Sequence, residues 1–124
     1  MKSRWFTRQL PALIWLGALL LMTGCDEVQE QYHEGQNRAE RDAANGELNV
    51  ALADGTHMAE YPEYTSQLKL YGIHVIICSL PANPPAAAAW ARGYNEVSSA
   101  KIADQLGTNF LKQTLADARK LHKN

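Results

Sequence analysis

Leu68-Lys69-Leu70-Tyr71-Gly72-Ile73-His74-Val75-Ile76-Ile77-Cys78-Ser79-Leu80 is the stretch whose reading decides the fold. Its β-branched and aromatic residues crowd together, a composition suited to a pleated, covered surface. It is expected to be a buried central strand. A strand cannot satisfy its own backbone N–H and C=O groups, so it needs a partner. Just upstream, Leu48, Val50 and Leu52 alternate, Asp54-Gly55 is a favoured two-residue turn, and Thr56 to Tyr61 can return as a second arm. That pattern predicts a hairpin. The rival reading is a helix with Ala44, Leu48, Ala51 and Leu52 on one face and Gly55 as its stop.

Downstream, Pro81 and Pro84-Pro85 end the strand, and Pro85 is placed to begin a helix running through the alanines to Trp90 and Ala91. Gly93 is expected to interrupt it. Ser98 or Ser99 then caps a short helix carrying Ile102, Ala103 and Leu106, stopped by Gly107. Thr108 or Asn109 caps a last helix with Phe110, Leu111, Leu115 and Ala118 inward, and Arg119, Lys120, His122 and Lys123 suit its negative end. The fold class is therefore α+β: a small β element, hairpin plus one buried strand, packed by two or three C-terminal helices.

Residues 26–44 are polar, with a thin stripe at Val28, Tyr32, Ala39 and Ala43 and a favourable Glu34-to-Arg38 spacing, closed by Asn45-Gly46. So little apolar surface predicts an exposed helix or a flexible tether, with the folded domain spanning 47–124. Charge is sorted in the same way: residues 26–63 carry ten acidic groups against Arg38 and Arg41, and residues 64–124 carry seven basic groups against three acidic ones. The acidic part reads as a solvated spacer; the alternative is that the two halves touch or recruit different partners. The basic half lacks the aromatic interleaving of a nucleic-acid site, so no nucleic-acid partner is expected.

At the start of the chain, Lys2, Arg4 and Arg8 precede an apolar run from Leu10 to Met22, then Gly24-Cys25 and the acidic Asp26-Glu27. A basic stretch, a short apolar core and small residues before a cysteine describe a secretory signal peptide. At a rise of ~1.5 Å per residue the run covers about 20 Å of a ~30 Å hydrocarbon core, too short for a permanent span. The cleavage region resembles the lipobox of bacterial lipoproteins, a likeness confined to residues 1–26. That resemblance implies removal of 1–24 as a signal peptide, a diacylglyceryl group on the Cys25 thiol, usual acylation of the new amino terminus, and a membrane anchor. Asp26-Glu27 after the cysteine implies retention at the periplasmic face of the inner membrane, with the outer membrane as the alternative. More than one acyl chain makes such an anchor effectively permanent.

Catalytic signatures are missing: there is no nucleophile elbow, zinc-protease motif, paired C-x-x-C or phosphate loop. His74 and Cys78 would share a face of the strand, and two ligands do not close a metal site, so both are expected to fill core, Cys78 buried and unpaired. No metal or cofactor is expected. Trp90-Ala91-Arg92-Gly93-Tyr94-Asn95-Glu96 has the composition of a recognition surface, making Trp90, Arg92, Tyr94 and Asn95 candidate interaction residues. Its structural reading puts Gly93 and Asn95 at helix boundaries and Trp90 and Tyr94 in the core. The chain thus reads as a lipoprotein whose domain is a small non-catalytic interaction module for another envelope protein. One alternative is an exclusion or immunity lipoprotein of a mobile element. Another is a ligand-binding or enzymatic domain using Arg92, Tyr94, Asn95 and His74.

Overall fold

The computed structural model describes the backbone of residues 23–124 and the side chains from residue 26. Residues 1–22, and with them most of the stretch expected to be a signal peptide, lie outside the described residues, as does the Cys25 side chain. The order of elements is α1 (Thr23–Ala44), β1 (Asn49–Ala53), α2 (Tyr61–Lys69), β2 (His74–Cys78), α3 (Pro84–Leu106) and α4 (Phe110–Lys123). The class is α+β, as composition and pattern imply.

The strand pairing differs from the expected hairpin. β1 and β2 run parallel, Ala51 opposite Ile76, and α2 is the crossover between them. A parallel pair cannot be joined by a two-residue turn, so Asp54-Gly55 ends β1 without folding it back. Pro62 in the first turn favours α2, and Tyr64 and Leu68, one helical turn apart, are both buried. Leu68 therefore belongs to the helix, and the strand proper is only His74–Cys78. It is an edge strand with a single neighbour, and His74 and Ile77 are exposed rather than core.

Two helix ends share one device. The N–H groups of Gly46 and Glu47 return to the carbonyls of Ala43 and Asp42, and those of Gly72 and Ile73 to Lys69 and Leu68. Both glycines have positive φ, 78° and 76°, the left-handed residue that lets a helix stop and the chain turn into a strand.

Helices cover both faces of the ribbon. Val50 and Val75 pack with Tyr64, Leu68, Ile73, Ile102 and Ala118, while Ala51 and Ile76 pack with Ala39, Ala91 and Tyr94. α3 is one continuous helix through Gly93, opened by the Asn83 side chain accepting from the Ala86 N–H and stopped at Gly107. Ser98, Ser99 and Asn95 are interior to it, so the chain has two C-terminal helices among the described residues. Asn109 precedes α4 without a side-chain capping bond, and Lys120, His122 and Lys123 stand in its last turn.

The stretch expected to be a tether is part of the body. α1 lies along α3, Tyr32 beside Gly93 and Glu40 beside Lys101, so the two helices run in the same direction. Gly35 and Ala39 are buried in the seam. A Cβ on Gly35 would collide with the carbonyl oxygen of Trp90, and one on Gly93 with that of Tyr32. Small residues thus let the two backbones approach, and contact between backbones replaces the apolar side-chain area that α1 lacks. The acidic and basic halves also meet: Glu40 pairs with Lys101, Glu60 with Arg119 and Glu63 with His122. Within α1, Arg38 pairs with Asp42 and Arg41 with Glu34, in place of the expected Glu34–Arg38 pair.

Candidate functional site

The recognition segment lies on α3 where α1 crosses it, and helical periodicity divides its residues. Tyr94 is fully buried. Its hydroxyl donates to Asp42 Oδ2 at 2.5 Å and accepts from Asn49 Nδ2 at 3.1 Å, while Arg38 Nε donates to Asp42 Oδ1 at 3.1 Å. One phenol therefore ties α1, β1 and α3 together. Burial pushes Asp42 upward, but the bonds from Tyr94 and Arg38, the Arg38 charge and the Asn49 contact outweigh it and hold the carboxyl below its ordinary range. Burial, reinforced by the Asp42 hydrogen bond and charge, pushes the Tyr94 phenol up to about 12. A phenol so reluctant to ionise, beside a carboxylate so reluctant to protonate, holds register and does not exchange protons near neutrality.

Asn95 faces the ribbon. Its Nδ2 donates to the Ala51 carbonyl and its Oδ1 accepts from the Ala51 N–H, both at 2.7 Å. These are the groups that β1 turns away from β2, so the amide stands in for a missing strand. Tyr94 and Asn95 are accordingly structural and unavailable to a partner, whereas Trp90 and Arg92 remain at the surface. Trp90 is half-buried and stacks on Tyr94 with ring centroids 5.2 Å apart. Arg92 is exposed and lies 5.5 Å over the ring of Tyr32, from α1. Tyr32, absent from the sequence-based site, joins it here.

The residues of the enzymatic alternative do not converge. His74 sits beside Tyr61, Thr65 and Lys69 around a surface hollow of about 240 Å³, whereas Arg92 sits over Tyr32 on the α1–α3 seam. Cys78 is free and half-buried rather than fully buried, with its thiol pushed up by burial. Another hollow, about 390 Å³, lies between Glu40, Ala44, Leu48, Lys101 and Asp104, with the Glu40–Lys101 pair in its wall. Among the described residues no group of three His, Cys, Asp or Glu side chains is placed to hold a metal ion, and no helix is long and apolar enough to cross a membrane.

No protein-family model matches the chain, and neither a curated protein nor a solved structure matches it.

Proposed function

We propose that this protein is a lipid-anchored envelope lipoprotein, acylated at Cys25 and held at the periplasmic face of the inner membrane. Its folded part acts as a small non-catalytic interaction module. The observation that carries this reading is Gly24-Cys25 behind the apolar run and directly before Asp26-Glu27. The geometry supports it in one respect. α1 includes position 25 and continues to Ala44 against α3, so an anchor there is joined to the body by helix and not by loose chain. The partner, another envelope protein, is taken to meet the surface formed by Trp90, Arg92 and Tyr32, where aromatic area and a guanidinium lie together.

Metabolic labelling with palmitate, followed by membrane fractionation and crosslinking in intact cells, tests both parts. Label should be lost in Cys25→Ala, the wild type should fractionate with the inner membrane, and Arg92→Ala should lower the yield of a crosslinked partner without changing the melting curve. Label that persists in Cys25→Ala overturns the anchor. Wild-type protein in the outer-membrane fraction overturns the retention role of Asp26-Glu27. A crosslinked partner unaffected by Arg92→Ala overturns the assigned surface.

A further inference from the structure

The two edges of the ribbon are treated differently. The parallel register, with the Asp54 N–H bonded to the Cys78 carbonyl at 2.7 Å, turns the even-numbered residues of both strands toward each other. Ala51 then faces outward from β1, and its N–H and C=O are taken up by Asn95. Val75 and Ile77 face outward from β2, and among the described residues no hydrogen bond reaches their backbone groups. Natural edges are usually blunted by charge, proline or a bulge. This one has none: no Asp, Glu, Lys or Arg lies between Lys69 and Arg92, and Pro81 comes after the strand. Among the described residues five large hydrophobics are exposed, and Leu70, Tyr71 and Ile77 of these lie on or just before β2, Ile77 at 50% exposure.

We propose that β2 pairs antiparallel with β2 of a second copy of this chain, about a two-fold axis through Ile76, to give a continuous four-stranded sheet. Val75 then lies opposite Ile77 of the second copy, and the reverse pair repeats it. The four outward N–H and C=O groups of each strand are satisfied reciprocally, as an isologous contact requires. Ile77 of each copy gains Val75 of the other on the same face of the sheet.

The charges nearest the edge fit the same register. Lys69 is exposed beside His74 and Val75 at one end of β2, while Asp54, held by Ser79 Oγ at 2.9 Å, stands at the other end on the face that carries α2. Antiparallel pairing turns Lys69 of each copy toward Asp54 of the other. The proposal does not depend on acylation.

The register makes one residue pair diagnostic. Position 74 falls directly opposite position 78 of the second copy, at a non-hydrogen-bonded site where Cα atoms approach to about 4.5 Å. Full-length His74→Cys, in membranes treated with copper phenanthroline, should give a reducible dimer whose linked peptides join the introduced thiol to Cys78. His74→Cys/Cys78→Ser should not. Native mass spectrometry of the detergent-purified protein should show a wild-type dimer. Ile77→Lys, at an exposed position, should raise the concentration for half-dimerisation at least tenfold, with an unchanged melt at dilutions where both proteins are monomeric. A wild-type protein monomeric at about 100 μM overturns the proposal, as does His74→Cys without a dimer or with a bridge that survives Cys78→Ser.

Discussion

Asn95 completes the sheet at Ala51. Its amide matches both the N–H and the C=O of Ala51 at 2.7 Å, a side-chain substitute for the strand that β1 lacks on that side. The contact spans 44 residues of sequence and fixes how α3 is rotated against the ribbon. That rotation in turn buries Tyr94 and leaves Arg92 outside.

Replacing Asn95 by Leu should leave both Ala51 groups unpaired, at a cost of about 2–4 kcal/mol. Asn95→Asp should cost nearly as much, because it keeps the acceptor but sets a carboxylate against the Ala51 carbonyl. Urea unfolding of both variants is the measurement. Losses below about 0.5 kcal/mol, within the range of an ordinary surface substitution, would show that the amide is incidental.

Gly35 and Gly93 offer a test whose sign is informative. On an uncrowded helix Gly→Ala stabilises by about 1 kcal/mol through propensity. Here each new Cβ would run into the facing helix backbone, which cannot retreat without opening the seam. Gly35→Ala and Gly93→Ala should therefore each destabilise by about 1–3 kcal/mol. A stabilising result at either position would mean that the helices do not approach as closely as described.

These glycines also explain what could and could not be read from the residues. The α+β class, the stops at Gly46 and Gly107 and the Pro84-Pro85 start of α3 follow from local chemistry, because caps and turn residues act on their neighbours. The thin stripe of α1 was visible at Tyr32 and Ala39, yet its docking was not, since glycine and alanine offer little apolar area and bind through backbone proximity. The parallel pairing was hidden by Asp54-Gly55, whose hairpin preference is local and yields to the crossover through α2. The bonds that join Tyr94 to Asp42 and Asn49 cross 52 and 45 residues, a separation no local pattern encodes.

The Tyr94 network predicts two limbs of pH dependence. Asp42 has a lowered folded pKa, so its stabilisation is present above the ordinary carboxylate value of 3.8 and is lost as pH falls through the folded value. Tyr94 has a raised folded pKa, so its contribution is complete below pH 10 and is lost as pH rises toward 12. That interval corresponds to about 2–3 kcal/mol lost across the alkaline window. Tyr94→Phe should flatten that part of the alkaline limb while lowering stability at pH 7 by about 1–3 kcal/mol, since Asp42 loses a buried donor. Denaturant unfolding from about pH 7 to 11.5 measures both. An alkaline limb identical in wild type and variant would remove Tyr94 from the account.

The last prediction concerns where the folded unit begins. α1 supplies Ala39 to the core, Asp42 to the buried phenol and Gly35 to the seam, and more of its contacts fall on α3 than on any other element. Without it, the faces of Tyr94 and Ala91 that meet α1 and the inner side of α3 would open to water, and the Tyr94 hydroxyl would lose its acceptor. A domain of this size has only about 5–15 kcal/mol of total stability, so the loss of this core, hydrogen-bond and seam set removes a large share of it. A chain beginning at Glu47 should therefore fail to melt cooperatively, whereas one beginning at Asp26 should give a single sharp transition by circular dichroism and calorimetry. If the shorter chain melts cooperatively within a few degrees of the longer one, α1 is a detachable strut and the seam of Gly35 and Gly93 contributes nothing to folding.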